Sequence, residues 1–363
     1  MTERRPIVVD CDTGIDDSLA LLYLCASDDA ELLAVTCCSG NVEAHQVAEN
    51  NRGLLELIGR GDIEVALGRT VPLVRPLEIT PETHGPRGVG YAELPPSRHS
   101  LSARHAADLI AAEARRRPGE LTLLCIGPLT NLAVALEREP ALPRLLRRLV
   151  IMGGAFRVPG NTTPVSEWNI HCDPDAARAV LAAWTAAIVA DPTVPRLVAL
   201  GLDVTERAIV RPDHVVALAR RAGSRPDDAI ALGRGEDPLD ATRSVASNPV
   251  VRFVADALRF YMEFHAAHDG FYGAFVHDPL AAAAALDETL IRTEALAVDV
   301  ETGGELATGQ TIADFRGLWH RPPNVDVAVT ADADEFIRRL IERVGALEER
   351  VGGVAARVPD VAP

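Results

Sequence analysis

The chain has 363 residues, with 36 basic against 52 acidic side chains and a formal net charge of −16. Its basic residues are all arginine, without one lysine, which excludes Schiff-base chemistry, a P-loop lysine and kinase-type catalysis. An acidic chain also lacks the basic footprint that nucleic acid or an anionic membrane requires, so neither is an expected partner.

The opening MTERRPIVVDCD contains no apolar signal core and no cleavage site. No run approaches the roughly 18 apolar residues of a membrane span. The cysteines (Cys11, Cys25, Cys37, Cys38, Cys125 and Cys172) have no C-x-x-C spacing. The expectation is a cytoplasmic protein with reduced, mostly buried thiols.

Along the chain, short β-branched runs alternate with longer Ala/Leu/Arg stretches of helical period. Strands are expected at Ile7–Asp10, Leu32–Cys37, Ile63–Leu67, Leu121–Ile126, Leu149–Met152, Leu197–Leu202, Ala295–Val300 and Val325–Thr330. Helical patterns occupy 16–26, 44–59, 101–117, 130–147, 174–187, 249–267, 278–287 and 332–348. Strands that are apolar throughout are buried on both faces, which predicts an open, mostly parallel α/β sheet with helices on both sides. With no repeat and no Ser/Gly linker, residues 1–348 read as a single domain, followed by a frayed tail from Glu349. Two stretches rich in Pro, Gly and polar residues, 68–100 and 222–247, break the rhythm, and loops of that length are usually functional or disordered.

The segment IVVDCDTGIDDSLAL places Asp10, Asp12, Asp16 and Asp17 directly after the first strand. Asp10 and Asp12 share a strand face by the period of two, and the carboxyl end of a parallel strand is where open α/β sheets bind ligands. Helix capping by Asp16 and dipole complementation by Asp17 explain two of these carboxylates. Four converging negative charges resist joint ionisation unless a hard cation such as Ca²⁺ or Mg²⁺ neutralises them. DCDTGIDD resembles the D-x-D-x-G-x-D-D signature of the inosine–uridine-preferring nucleoside hydrolases, which cleave the N-glycosidic bond of ribonucleosides. The resemblance implies the Rossmann-like nucleoside hydrolase fold and a resident Ca²⁺.

Later segments resemble the same family in the same order. SGNVEAHQ places Asn41 as a substrate contact, and IGPLTNLAVAL places Thr130 as a metal ligand through its backbone carbonyl. MGGAFRVPGNTTPVSEWNIHCDPDAA resembles the sugar-binding loop, implying Met152, Asn161, Glu167 and Asn169 on the ribose. Asp173 and Asp175 instead begin the next helix. In GFYGAFVHDPLAAAAAL, Asp278 reads as a helix cap before Pro279. By resemblance it completes a metal set of Asp12, Asp17, Thr130 and Asp278. His277 would sit by the base, with His84 of the HGPRGVG loop as a further contact. Tyr261, His265 and Asp269 lie where relatives close over the base, while GLDVTERA reads as scaffold.

The implied mechanism has Asp12 as general base for a metal-activated water and Asp16 with Asn169 on the 2′- and 3′-hydroxyls. His277 is the expected acid, because the ordinary imidazole pKa lies near neutrality. Purine-specific relatives stack the base on tryptophan. Trp168, Trp184 and Trp319 lie neither in the 68–100 loop nor beside His277, so an inosine–uridine or pyrimidine preference is expected. By analogy the protein is a homodimer or homotetramer. The rival readings are a haloacid-dehalogenase-like phosphatase, disfavoured by Gly14 and the missing lysine, and a non-catalytic nucleoside or sugar sensor.

Overall fold

A computed structural model of the protein describes residues 4–229 and 243–347. The middle of the expected 222–247 loop and the expected frayed tail lie outside the described residues. The strands in chain order are β1 (Arg5–Cys11), β2 (Ala30–Cys37), β3 (Glu64–Leu67), β4 (Thr122–Cys125), β5 (Arg148–Met152), β6 (Leu197–Leu200), β7 (Ile209–Val210), β8 (Ala274–Phe275), β9 (Ile291–Leu296), β10 (Val298–Val300), β11 (Thr311–Ala313) and β12 (Val325–Ala331). Eight of them form one sheet in the order β3-β2-β1-β4-β5-β6-β12-β9. Every adjacent pair is parallel except the edge pair β12–β9. The mostly parallel single-domain sheet expected from the apolar runs is therefore present.

Alternation along β1 sends Ile7 and Val9 to one face and Val8 to the other. On the first face they join a core that includes Leu22, Leu54, Leu280 and Phe336; on the second, Val8 joins one that includes Leu109, Leu123 and Trp184. Both faces of the central strands are buried, so they need no polar side; the edge strand β9 is partly exposed and carries Arg292, Thr293 and Glu294. The helix His277–Leu286 is buried along its whole length. Its Ala281–Ala285 run lets it lie against the helix Ile15–Cys25, and these two helices begin the halves of the acidic site. Chain order reverses between β1 and β4, where a crevice opens at the carboxyl ends of the strands.

Several boundaries differ from the sequence reading. The expected strand Ala295–Val300 divides at Ala297. Asn324 explains the departure of β10, because its side chain accepts from Val298 N–H at 2.8 Å and donates to Val298 O at 3.0 Å, replacing a sheet neighbour. The helix expected over 130–147 ends at Arg138 before Pro140, whose predecessor Glu139 takes φ −138° and ψ 81°, as a residue before proline favours. A helix at Pro212–Arg221 was not expected; its initial proline suits a first helical position. The strand expected to reach Leu202 stops at Leu200 and turns into the helix Leu202–Thr205.

Candidate active site

The crevice is a cavity of about 530 Å³, within the size range of small-molecule sites. Asp16, Asn41, His84, Met152, Asn161, Glu167, Asn169, His277 and Asp278 all line it. Asp12, Asp17 and Thr130 do not, and they are buried. Asp16, Asp17 and Asp278 each bring one oxygen within 4.8 Å of the others, so Asp16 belongs to the tightest acidic group as well as to the cavity wall.

Local backbone geometry builds this floor. Gly14 caps the helix Ile15–Cys25, putting Asp16 and Asp17 in its first turn rather than at the cap. Asp17 Oδ2 accepts from Gly14 N–H at 2.8 Å and from Asn41 Nδ2 at 3.1 Å. The Asn41 backbone N–H donates to Asp12 Oδ2 at 2.8 Å. Asn41, expected on the substrate, therefore also fixes two aspartates. A Cβ at Gly40 would lie 2.1 Å from Asp12 Oδ2, and one at Gly127 would lie 2.7 Å from Asp12 Oδ1. Only glycine leaves the carboxylate room, a signal present in SGN and IGP but not drawn from them.

Asp10 is not part of the convergence. β1 ends at Cys11, and Asp10 Oδ1 accepts from Thr36 Oγ1 at 2.6 Å and Asn131 Nδ2 at 2.8 Å. Asp278 supplies the fourth site carboxylate from the other end of the chain. It is not the cap expected of it: Val276 caps that helix and Asp278 sits in the first turn, free of capping duty.

Burial, then neighbouring charge, raises these carboxyls. Asp16 rises to about 7 through burial and then Asp17, and the backbone N–H groups of His277 and Asp278 pull it back down. Asp17 rises to about 6 through burial. Asp12 and Asp278 are also pushed up, by burial first and then by Asp17 and Asp16 respectively. Asp12 Oδ1 and Asp17 Oδ1 are buried with no hydrogen-bond partner, which is costly for a polar atom. An all-oxygen donor set with orphaned lone pairs fits a hard divalent cation. Thr130, the expected carbonyl ligand, begins the helix Thr130–Arg138 just after β4, and its hydroxyl donates to Asp173 at 2.8 Å. Asp173 caps the helix Pro174–Ala190 as expected.

The side expected to face the sugar is equally constrained. Asn169 Nδ2 donates to Ile126 O at 3.0 Å and Met152 O at 3.2 Å, tying the ends of β4 and β5 together and leaving its carbonyl oxygen as the acceptor on offer. Glu167 caps the helix Trp168–Cys172, accepting from Asn169 N–H and Ile170 N–H, and holds Gly154 N–H at 3.0 Å. Asn161 accepts from Trp168 N–H at 3.0 Å. Trp168 itself lines the cavity, so one tryptophan does reach the site, from the loop expected to bind the sugar.

The opposite wall is a continuous run of rings: His84–Tyr261 at 5.3 Å, Tyr261–His265 at 4.6 Å, His265–Phe275 at 4.8 Å and Phe275–His277 at 5.8 Å. His84 Nδ1 accepts from Ile15 N–H at 3.1 Å. His277 Nδ1 lies 2.8 Å from Thr205 Oγ1. Burial, with neighbouring histidines second, pushes His84 and His277 down to about 3. The near-neutral pKa expected of His277 is therefore not what its site provides. Thr205 comes from GLDVTERA, expected to be scaffold. The β7–β8 pairing and the Val276 N–H to Ala208 O bond at 2.9 Å tie that segment to the start of the His277 helix.

Sheet order and site chemistry together define a small-molecule enzyme of the open α/β type, with a cation-competent carboxylate floor and amides suited to a polyol. Among known proteins, a sequence model described as inosine-uridine preferring nucleoside hydrolase matches residues 7–338. The chain belongs to that family. It is 34% identical to an inosine-uridine preferring nucleoside hydrolase of Leishmania major, over 94% of this chain and 98% of the relative. It is 35% identical to a pyrimidine-specific ribonucleoside hydrolase of Enterobacter sp. (strain 638), over 95% of this chain and 99% of the relative. Among solved structures, a purine-preferring ribonucleoside hydrolase from Gardnerella vaginalis superposes with a TM-score of 0.81 at 27% identity, covering 95% of this chain and 100% of that one.

Proposed function

We propose that the protein hydrolyses the N-glycosidic bond of ribonucleosides to free base and ribose, with an inosine–uridine or pyrimidine preference. The observation that carries this is the buried acidic cluster at the switch point, with orphaned oxygens on Asp12 and Asp17, in a chain of this family. Asp12, Asp17, Asp278 and the Thr130 carbonyl are the residues proposed to hold calcium. When bound, that ion supplies positive charge that acidifies water and engages a vicinal diol.

The remaining chemistry belongs to the chain. Asp12 is held through Oδ2 by Asn41, and its free Oδ1 takes the proton of the attacking water. Asp16 and the Asn169 carbonyl accept from the 2′- and 3′-hydroxyls and fix the anomeric carbon against that water. The carboxylate floor favours the positive charge that develops on the ribosyl ring. His277 acts as a neutral donor rather than as a stored proton. Thr205 Oγ1 is closer to His277 Nδ1 (2.8 Å) than to Gly201 O (3.2 Å). In this reading its one hydroxyl proton turns to the ring rather than to Gly201 O, which leaves the imidazole proton on Nε2 for the departing base.

A ribonucleoside panel assayed for reducing sugar, with and without chelator, tests the reading. Base release that stops with chelator and returns with calcium is the expected result. Phosphate release from small phosphoesters instead would favour the phosphatase alternative, and nucleoside binding without base release would favour a sensor.

A further inference from the structure

His265 differs from the two imidazoles that flank it. His84 Nδ1 is occupied by the Ile15 N–H, so that ring carries its proton on Nε2, and His277 does the same when the Thr205 hydroxyl gives its proton to Nδ1 rather than to Gly201 O. His265 Nδ1 instead meets Asp269 Oδ2 at 2.7 Å. A carboxylate can only accept, so the proton sits on Nδ1 and the neutral ring has a bare Nε2. That Nε2 is buried with no partner, and His265 and Asp269 both line the cavity. Burial lowers the His265 pKa more than Asp269 restores it, in keeping with a neutral ring. The ring wall thus sets the His265 acceptor beside the Nε2 donor of His84, and beside that of His277 in its proposed tautomer.

Resting on the nucleoside hydrolase reading, we propose that the His265–Asp269 pair selects the leaving base, accepting a ring N–H at Nε2 and so favouring lactam bases. Uracil and hypoxanthine present an N–H beside a carbonyl, which matches an acceptor beside imidazole donors. Cytosine and adenine present a bare ring nitrogen beside an amino group, which sets lone pair against lone pair at His265. A buried acceptor left facing another acceptor is discriminated against far more strongly than a change in shape.

The test measures kcat/KM for uridine against cytidine and for inosine against adenosine on the calcium-loaded full chain, together with inhibition constants for free uracil and cytosine. Uridine is expected to exceed cytidine by about 10- to 100-fold, the scale of one unmatched buried acceptor. His265→Ala should collapse the ratio to within about threefold. Asp269→Asn can donate to Nδ1 and move the ring proton to Nε2, so the uridine/cytidine ratio should fall by about tenfold or more. A wild-type preference for cytidine or adenosine, or a ratio unmoved in both variants, overturns the proposal. Equal turnover of all four nucleosides sinks the base selection and leaves the hydrolase reading standing. Absence of turnover and of base inhibition removes both.

Discussion

At the scale of single residues, the site depends on how tightly Asp12 is confined. Asn41 holds one oxygen, Gly40 and Gly127 leave the space, and the other oxygen has no partner. Asp12→Asn keeps the shape but removes both proton acceptor and anionic ligand, so kcat should fall by about 10³-fold or more; near-wild-type single-turnover rates would take the base role from Asp12. The three atoms nearest a methyl at Gly40 would all belong to Asp12. Gly40→Ala should therefore preserve the fold and lower kcat/KM by about 100-fold, the cost of a displacement near 1 Å, read by steady-state kinetics beside a thermal melt. His277→Ala should lose about 10²- to 10⁴-fold, and a loss below tenfold on both inosine and uridine would remove it from base departure. The aspartates of DCDTGIDD were legible because capping and dipole effects explain only two of four carboxylates in eight residues. Asp10 stands apart because Thr36 and Asn131 claim one of its oxygens, which period alone does not reveal, although its Oδ2 is left without a partner.

At the scale of elements, the central strands were readable because burial on both faces leaves mostly apolar runs. The short pieces were not. β7, β8 and Leu202–Thr205 carry too few residues for any period to register, yet they deliver Thr205 to His277. Thr205→Val should lower kcat by about tenfold with KM little changed, because the imidazole tautomer is no longer fixed, and Thr205→Ser should restore it. Equal losses in both variants, with a lowered melting temperature, would indicate a merely structural hydroxyl. The alanine run of His277–Leu286 is a packing device: Ala283 is fully buried, so Ala283→Leu should cost about 1–3 kcal/mol by overpacking, measured by urea unfolding. The Pro212–Arg221 helix was missed because its polar face and flanking Gly/Pro residues resemble a loop until Val215 and Leu218 are seen to be buried.

Over the whole molecule, sheet order joins the chain's two ends. Asp12, Asp16 and Asp17 leave β1, while Asp278 arrives from some 260 residues later on a helix packed against the first one. No spacing rule predicts that meeting; only the topology makes it, and family resemblance had to stand in for it. The arrangement also sets a pH dependence. Of the proposed ligands, Asp17 rises to about 6 and Asp12 and Asp278 are also pushed up, and a cation needs them ionised, so calcium affinity should rise as pH climbs from about 5.5, with protons released on binding. Calorimetry in buffers of different ionisation heat reads that release.

The most direct test is a calcium titration of the EDTA-stripped protein, wild type and Asp278→Asn, with uridine cleavage followed in the same samples. The wild type should take up calcium at one class of site and recover base release in step with occupancy, while the variant should do neither despite an unchanged circular dichroism spectrum. Undiminished cleavage by the stripped protein, with no heat of calcium binding, would contradict the account.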